Sequence, residues 1–216
     1  MNCVELINIK LQSFKNPRYI EIGVRNGETF FAVNARKKWG VDPCYFFAKR
    51  ALLKALTYKR NWGFRMFKMK SDDFFLNKVK RITKKHAFDV IFIDGLHTYE
   101  QSLKDAVNSL AYLNQNGTII FHDCNPTSAK AAQPWLPTEK INWNGDVWKT
   151  IYHFRKLPDF FECFTHDDDQ GLGILKWKRF DKEILKSIVP KEEILNLDYE
   201  YLQNNRVNTI GLGTNY

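Results

Sequence analysis

Short apolar runs alternate with amphipathic segments along most of this chain. "RYIEIGV" (18–24) reads as a strand and "GETFFAVNARKKW" (27–39) as a helix, with "GVDP" (40–43) holding the end of a short second strand. Residues 45–60 set Ala48, Leu52, Ala55 and Leu56 at helical spacing. "GFRMFKMK" (63–70) alternates as a strand does, and "SDDFFLNKVKRITKKH" (71–86) returns to helix. "DVIFID" (89–94) is a fourth strand. The helix after it carries Tyr99, Leu103, Ala106, Val107, Leu110 and Leu113 on one side, and Thr98 with Gln101 suggests a capping box. Gly117 ends that segment, and "TIIFHD" (118–123) is a fifth strand.

The pattern changes at residue 124. A loop with Pro126, Pro134 and Pro137 runs to about residue 144, and its Trp135 and Trp143 mark it as packed. "GDVWKTIYHFRKL" (145–157) is helical, "DFFECFTHDDDQGLGILKWKR" gives two strands around a polar turn, and residues 181–216 form a helical extension. The alternation predicts an α/β protein: a parallel sheet covered by helices on both faces, closed by a terminal hairpin.

At 216 residues, 44% hydrophobic and 15% aromatic, the chain suits one domain spanning 1–216 with a substantial core. It has no 18-residue apolar window and no basic and apolar leader pattern at its start, so the expectation is a soluble cytoplasmic protein. Cys3, Cys44, Cys124 and Cys163 lack metal-binding spacing and read as free thiols. The net charge of +9, concentrated in residues 49–85, suits either a solvated lysine-rich surface or attraction to nucleic acid, acidic membranes or phosphorylated substrates.

Candidate chemistry gathers where strands end. "EIGVRNGETF" supplies Gly23 and Gly27 for a sharp turn at a helix start. Arg25 and Glu28 exclude the G-x-G-x-x-G dinucleotide fingerprint, and no Walker loop is present. Asp42, ending the second strand, is placed to accept hydrogen bonds from vicinal ribose hydroxyls. Asp94 and the His122-Asp123 pair end the fourth and fifth strands, and His97 lies in the turn after Asp94. In an open parallel sheet such strand ends border the ligand crevice.

Together, "YIEIGVRNGETF", "VDP", "FIDGLHTYEQSLKDA", "NGTIIFHD" and "GDVWKTI" resemble methyltransferase family 24, over roughly residues 17–180. The resemblance implies a Rossmann-like class I sheet: seven strands, mainly parallel, with a terminal antiparallel hairpin. It implies S-adenosylmethionine as cofactor and O-methylation of a sugar, glycoconjugate or other small molecule, in or near polysaccharide pathways. The cofactor set would be Glu21, Gly23, Gly27, Asp42, Asp72 and Asp94. Gly23 and Gly27 would approach the methionine moiety, Asp42 the ribose and Asp72 the adenine, with Ser71 or Asp73 as alternatives. Asp94 and Asp123 match metal-binding positions of related sugar enzymes, for Mg2+ or Mn2+. Leu96 and His122 stand where such relatives carry further carboxylates.

A metal-free route with His97, or His122, as base remains open. Asp146 and Lys149 would contact substrate or hold the preceding loop, and Trp143 with Trp135 would offer a stacking surface. Residues 124–144 are expected to form a lid or substrate loop. Two other readings stand beside this one: a nucleic-acid methyltransferase, against which no N-P-P-aromatic motif follows strand four, and a non-catalytic cofactor-binding module.

Overall fold

The computed structural model describes residues 1–83, 88–135 and 142–213. Helix α1 (Cys3–Gln12) precedes β1 (Arg18–Ile22), and α2 (Glu28–Ala32) leads to β2 (Lys37–Val41). Next come α3 (Lys49–Leu56), β3 (Phe64–Phe67), α4 (Ser71–Asn77), α5 (Val79–Ile82) and β4 (Phe88–Ile93). Helix α6 (Tyr99–Leu110), β5 (Leu113–Phe121), α7 (Trp148–Arg155), β6 (Phe161–His166) and β7 (Leu172–Trp177) complete the sheet. A 3-10 helix (Lys182–Ser187), α8 (Glu192–Leu195) and α9 (Tyr199–Ile210) form the expected helical extension.

The sheet order is β3-β2-β1-β4-β5-β7-β6, with β1 to β5 parallel and β7 antiparallel to both neighbours. Every residue of β4 is buried, because helices cover both faces. Val90 and Phe92 join Leu6, Leu11 and Phe30 on one side. Ile91 and Ile93 join Tyr99, Leu103, Leu110 and Ile151 on the other. The chain winds outward from β1 to β3 and then returns to β4, so the strand order reverses between β1 and β4. Their carboxyl ends border the crevice.

Three boundaries differ from the sequence reading. The helix expected over 27–39 ends at Ala32, and Lys37–Trp39 belong to β2. Lys38 is fully buried and donates from Nζ to the carbonyls of Phe30 and Val33, both at 2.9 Å, which satisfies the end of the short helix. Leu113 opens β5 instead of extending α6. Lys78 interrupts the helix expected over 71–86, and its last residues, 84–86, lie outside the described residues. Thr98 Oγ1 does accept from the Gln101 amide at 3.4 Å. The Gln101 side chain, however, bonds Ser71, Asp72 and Asp105, so the capping box is not completed.

The loop after β5 is held by the C-terminal extension: Arg206 donates to Asn125 Oδ1 and, at 3.0 Å, to the Pro126 carbonyl. Pro137 lies outside the described residues. Among the described residues, no helix is long and apolar enough to cross a membrane.

Candidate active site

The turn after β1 is built by two left-handed glycines. Gly23 has φ +89°, and a Cβ there would sit 1.9 Å from the Asp94 carbonyl oxygen, so only glycine lets the ends of β1 and β4 close together. Gly27, φ +81°, caps α2 where a side chain would strike the rings of Phe31 and Phe47. Arg25 between them is also left-handed, and its amide donates to Asp42 Oδ2 at 2.8 Å. Asp42 Oδ1 accepts from the Cys44 amide at 2.6 Å. Two backbone donors thus fix this carboxylate at the end of β2.

Glu21 lies under the turn. It is buried, its Oε2 accepts from the Tyr19 hydroxyl at 2.6 Å, and burial holds its carboxyl well above the usual carboxylate range. Its side chain lies in the core, bonded to Tyr19, beneath the turn expected to meet the cofactor.

Asp72, in the first turn of α4, faces α6: Lys104 Nζ reaches its Oδ2 at 2.6 Å, and Gln101 Nε2 its Oδ1 at 3.3 Å. Gln101 also donates to Asp105, whose carboxyl burial pushes up to about 7. At Gly95, beside this group, the atoms nearest a would-be Cβ are Asp105 Oδ2 and Ile22 Cγ2, each at an ordinary contact distance of 3.7 Å.

The reactive groups converge where β4 and β5 end. His97 Nε2 lies 3.4 Å from Asp94 Oδ1 and 3.4 Å from Asp123 Oδ2. Its Nδ1 is 3.0 Å from the Trp143 carbonyl, an acceptor only, so Nδ1 carries the proton and Nε2 faces the carboxylates. The ring also packs against that of Trp143, centroids 4.9 Å apart. Burial opposes the imidazolium, yet Asp94 and Asp123 outweigh it and raise the pKa of His97.

His122 Nδ1 is 3.0 Å from Asp123 Oδ2 and 3.9 Å from Asp94 Oδ1. Burial again disfavours its charge, but Asp123, Asp94 and Asp169 push it up to about 9. His122 thus sits among three carboxylates, those of Asp94, Asp123 and Asp169.

Sequence reasoning missed several members of this cluster. Asn144, buried, donates to Asp123 Oδ1 at 2.9 Å and fixes that carboxylate, while Asp123 itself is left-handed at φ +63°. Asp169, in the polar turn between β6 and β7, approaches His122 Nε2 at 3.6 Å and accepts from the Cys3 amide at 2.7 Å. Single ligand atoms of Asp94, His97 and Asp123 lie within 4.8 Å of one another, as do those of Cys3, His122 and Asp169. The run of three aspartates before Gln170 was the available signal, but it reads as an ordinary solvated turn.

The "GDVWK" segment braces the site. Asp146 Oδ1 accepts from the Tyr99 amide at 2.6 Å and its Oδ2 lies 3.1 Å from Lys149 Nζ, which also donates to the Leu195 carbonyl at 2.7 Å. Both side chains are buried, so of the two roles expected for them the geometry brings out the holding one. Gly145 passes so close to the His97 carbonyl that a Cβ would overlap it at 1.8 Å. Trp143 is partly exposed beside His97, with Nε1 bonded to the Gln133 carbonyl at 2.6 Å, and Trp135 is exposed.

This strand order, with the left-handed turn after β1 and acidic residues ending β2, β4 and β5, is that of class I methyltransferases. Three solved structures share the fold. S-adenosylhomocysteine-bound PaMTH1 of Podospora anserina aligns at 16% identity and TM-score 0.53, over 81% of this chain and 77% of its own. A candidate caffeoyl-CoA O-methyltransferase from Staphylococcus aureus aligns at 15% and 0.56, over 81% and 82%. Cofactor-bound Rv0187 from MTB aligns at 10% and 0.57, over 82% and 79%. No curated protein matches the sequence. Residues 20–124 match the methyltransferase-domain model of the methyltransferase 24 family. Residues 20–124 thus carry a methyltransferase domain, set in a sheet with the fold of S-adenosylmethionine-dependent methyltransferases.

Proposed function

We propose that this enzyme methylates a hydroxyl group of a small molecule, of the sugar or glycoconjugate class, with help from a divalent cation. The convergence of Asp94, His97 and Asp123 at the ends of two neighbouring strands carries this reading. The left-handed Gly23–Gly27 turn and Asp42 suit the methionine and ribose of the cofactor, with Asp72 or Ser71 at the adenine. Bound there, S-adenosylmethionine supplies an electrophilic methyl group.

The chain's own residues then handle the acceptor. His97, its Nδ1 proton committed to Trp143, would take the hydroxyl proton on Nε2 from its neutral form. Asp94 and Asp123 orient that imidazole and stabilise the charge it gains. The same two carboxylates are oxygen donors suited to Mg2+ or Mn2+, which would polarise the acceptor hydroxyl. Trp143, with residues 124–135, would form the acceptor-side wall.

Calorimetric titration with S-adenosylhomocysteine tests the cofactor half. Losing the Asp42 bonds to ribose should cost about 1.5–3 kcal/mol, so Asp42→Ala should bind roughly ten- to hundredfold more weakly. Absence of binding by the unaltered protein would sink the assignment. For the acceptor half, labelled methyl transfer is followed across a panel of nucleotide sugars. Transfer that survives exhaustive chelation at full rate would remove the cation and leave His97 alone.

A further inference from the structure

Between Asp42 and Asp72 the chain has eight Lys or Arg residues and no Asp or Glu. Among the described residues, none of the eight forms an ion pair with an acidic side chain. Lys49, Arg50, Lys54 and Lys59 are all exposed, on α3 or just after it.

The same surface exposes large apolar side chains. Leu53 and Trp62 are each 68% exposed and Phe46 63%, with Leu56 and Tyr58 also open to solvent. Trp62 Nε1 donates to the Leu56 carbonyl at 2.9 Å, which fixes the indole against the end of α3. Leu53 and Leu56 are one turn apart on that helix, whose buried contact is Ala55 alone. Nothing in the methyl-transfer reading uses this face. It begins at the residues that follow Asp42 and so flanks the cofactor turn: the Phe46 amide donates to the Arg25 carbonyl at 2.9 Å.

We infer that this face, centred on α3, docks the enzyme onto an anionic lipid bilayer, with Phe46, Leu53, Leu56 and Trp62 entering the headgroup boundary and the basic side chains meeting lipid phosphate and carboxylate. Uniform positive charge is complementary to such a surface. Exposed leucines together with Phe46 and Trp62 distinguish it from a nucleic-acid groove, where aromatic rings stack on bases but aliphatic side chains gain little. Docking there would turn the cofactor crevice toward the membrane, where an acceptor carried on a lipid would be presented.

The test is co-sedimentation of the full chain with phosphatidylcholine vesicles containing or lacking phosphatidylserine, with a single-stranded oligonucleotide in a parallel arm. Binding is expected to the anionic vesicles only, and to fall as salt is raised. Each basic side chain near such a surface is worth roughly fivefold in partitioning, so the variant K49Q/R50Q/K54Q should bind roughly a hundredfold more weakly. Leu53→Ser with Trp62→Ala should weaken binding at unchanged charge. Circular dichroism and homocysteine-cofactor titration confirm that both variants stay folded. The proposal is overturned by no binding to anionic vesicles, by equal binding of the triple variant, or by oligonucleotide capture at salt that abolishes vesicle binding.

Discussion

Replacing Asp105 by Asn should stabilise the protein, and only above a defined pH. Asp105 is 1% exposed on the inner side of α6. Burial is the main reason its carboxyl rises from the ordinary 3.8 to about 7; hydrogen bonds from Ser71 and Gln101 oppose that rise, and Asp72 adds to it. The folded state thus holds this proton more tightly than the unfolded chain. Stability from that source is complete below about pH 4 and is lost as pH climbs through about 7. The gap between 3.8 and about 7 corresponds to at most roughly 4 kcal/mol. Asparagine cannot ionise, so the variant should exceed the unaltered protein by only about 1 kcal/mol near pH 4.5 and by most of the full amount at pH 8. For a domain of this size the gain should be several degrees in melting temperature. Urea denaturation of both proteins at pH 4.5, 6 and 8 measures the difference directly, since other carboxyls titrate alike in the two. Parallel stability curves across that range would refute the argument.

Three further outcomes follow from the same structure. Gly23→Ala should cost roughly 3–4 kcal/mol, from the left-handed backbone and the overlap with the Asp94 carbonyl, and should abolish cofactor binding; an unchanged urea midpoint would contradict it. His97→Ala should lower single-turnover methyl transfer roughly a hundred- to ten-thousandfold with cofactor affinity retained; a lowered melting temperature with intact transfer would mark His97 as a support for Trp143. Lys149→Met leaves buried Asp146 without its partner and should destabilise by about 3–5 kcal/mol, part of which Asp146→Asn in the same chain should restore; denaturant titration decides.

What could be read in the sequence tracks how local its cause is. The buried run of β4, the polar turn between β6 and β7 and the left-handed glycines after β1 each announce themselves within a few residues. The gathering of Asp94, His97, His122 and Asp123 followed from topology alone, since parallel neighbours end on the same side. The end of α2 was not legible, because Lys38 buys its burial with the carbonyls of Phe30 and Val33, a tertiary arrangement that helical periodicity cannot foretell. Leu113 continued the apolar stripe of α6 by three residues and still left the helix, since the strand beside β4 needed it. Asn144, Asp169 and Cys3 reach the site from remote segments, and no local pattern separates such residues from ordinary loop and turn positions.

The position of β7 between β5 and β6 also sets a problem for synthesis. Ile119, Ile120 and Phe121 pair with Leu175, Ile174 and Gly173, so residues 122–171 must be made before their partners exist. At 5–20 residues per second, a nascent chain displays β5 as a bare apolar edge for roughly 3–10 s. Worse, β6 leaves the ribosome ahead of β7 and brings Phe161, Cys163 and Phe164 with it, a ready impostor for the empty place. The turn Asp167–Gly171 offers the remedy, with Asp169, Gln170 and Gly171 all in the left-handed region that folds one strand back on the other. Hairpins close in roughly 1–10 μs. Once residue 177 emerges, the pair can dock as one preformed piece, β7 inward, before β6 is trapped in the wrong seat. The turn that completes the active site would then also be the device that gets the last strands into the sheet in the right order.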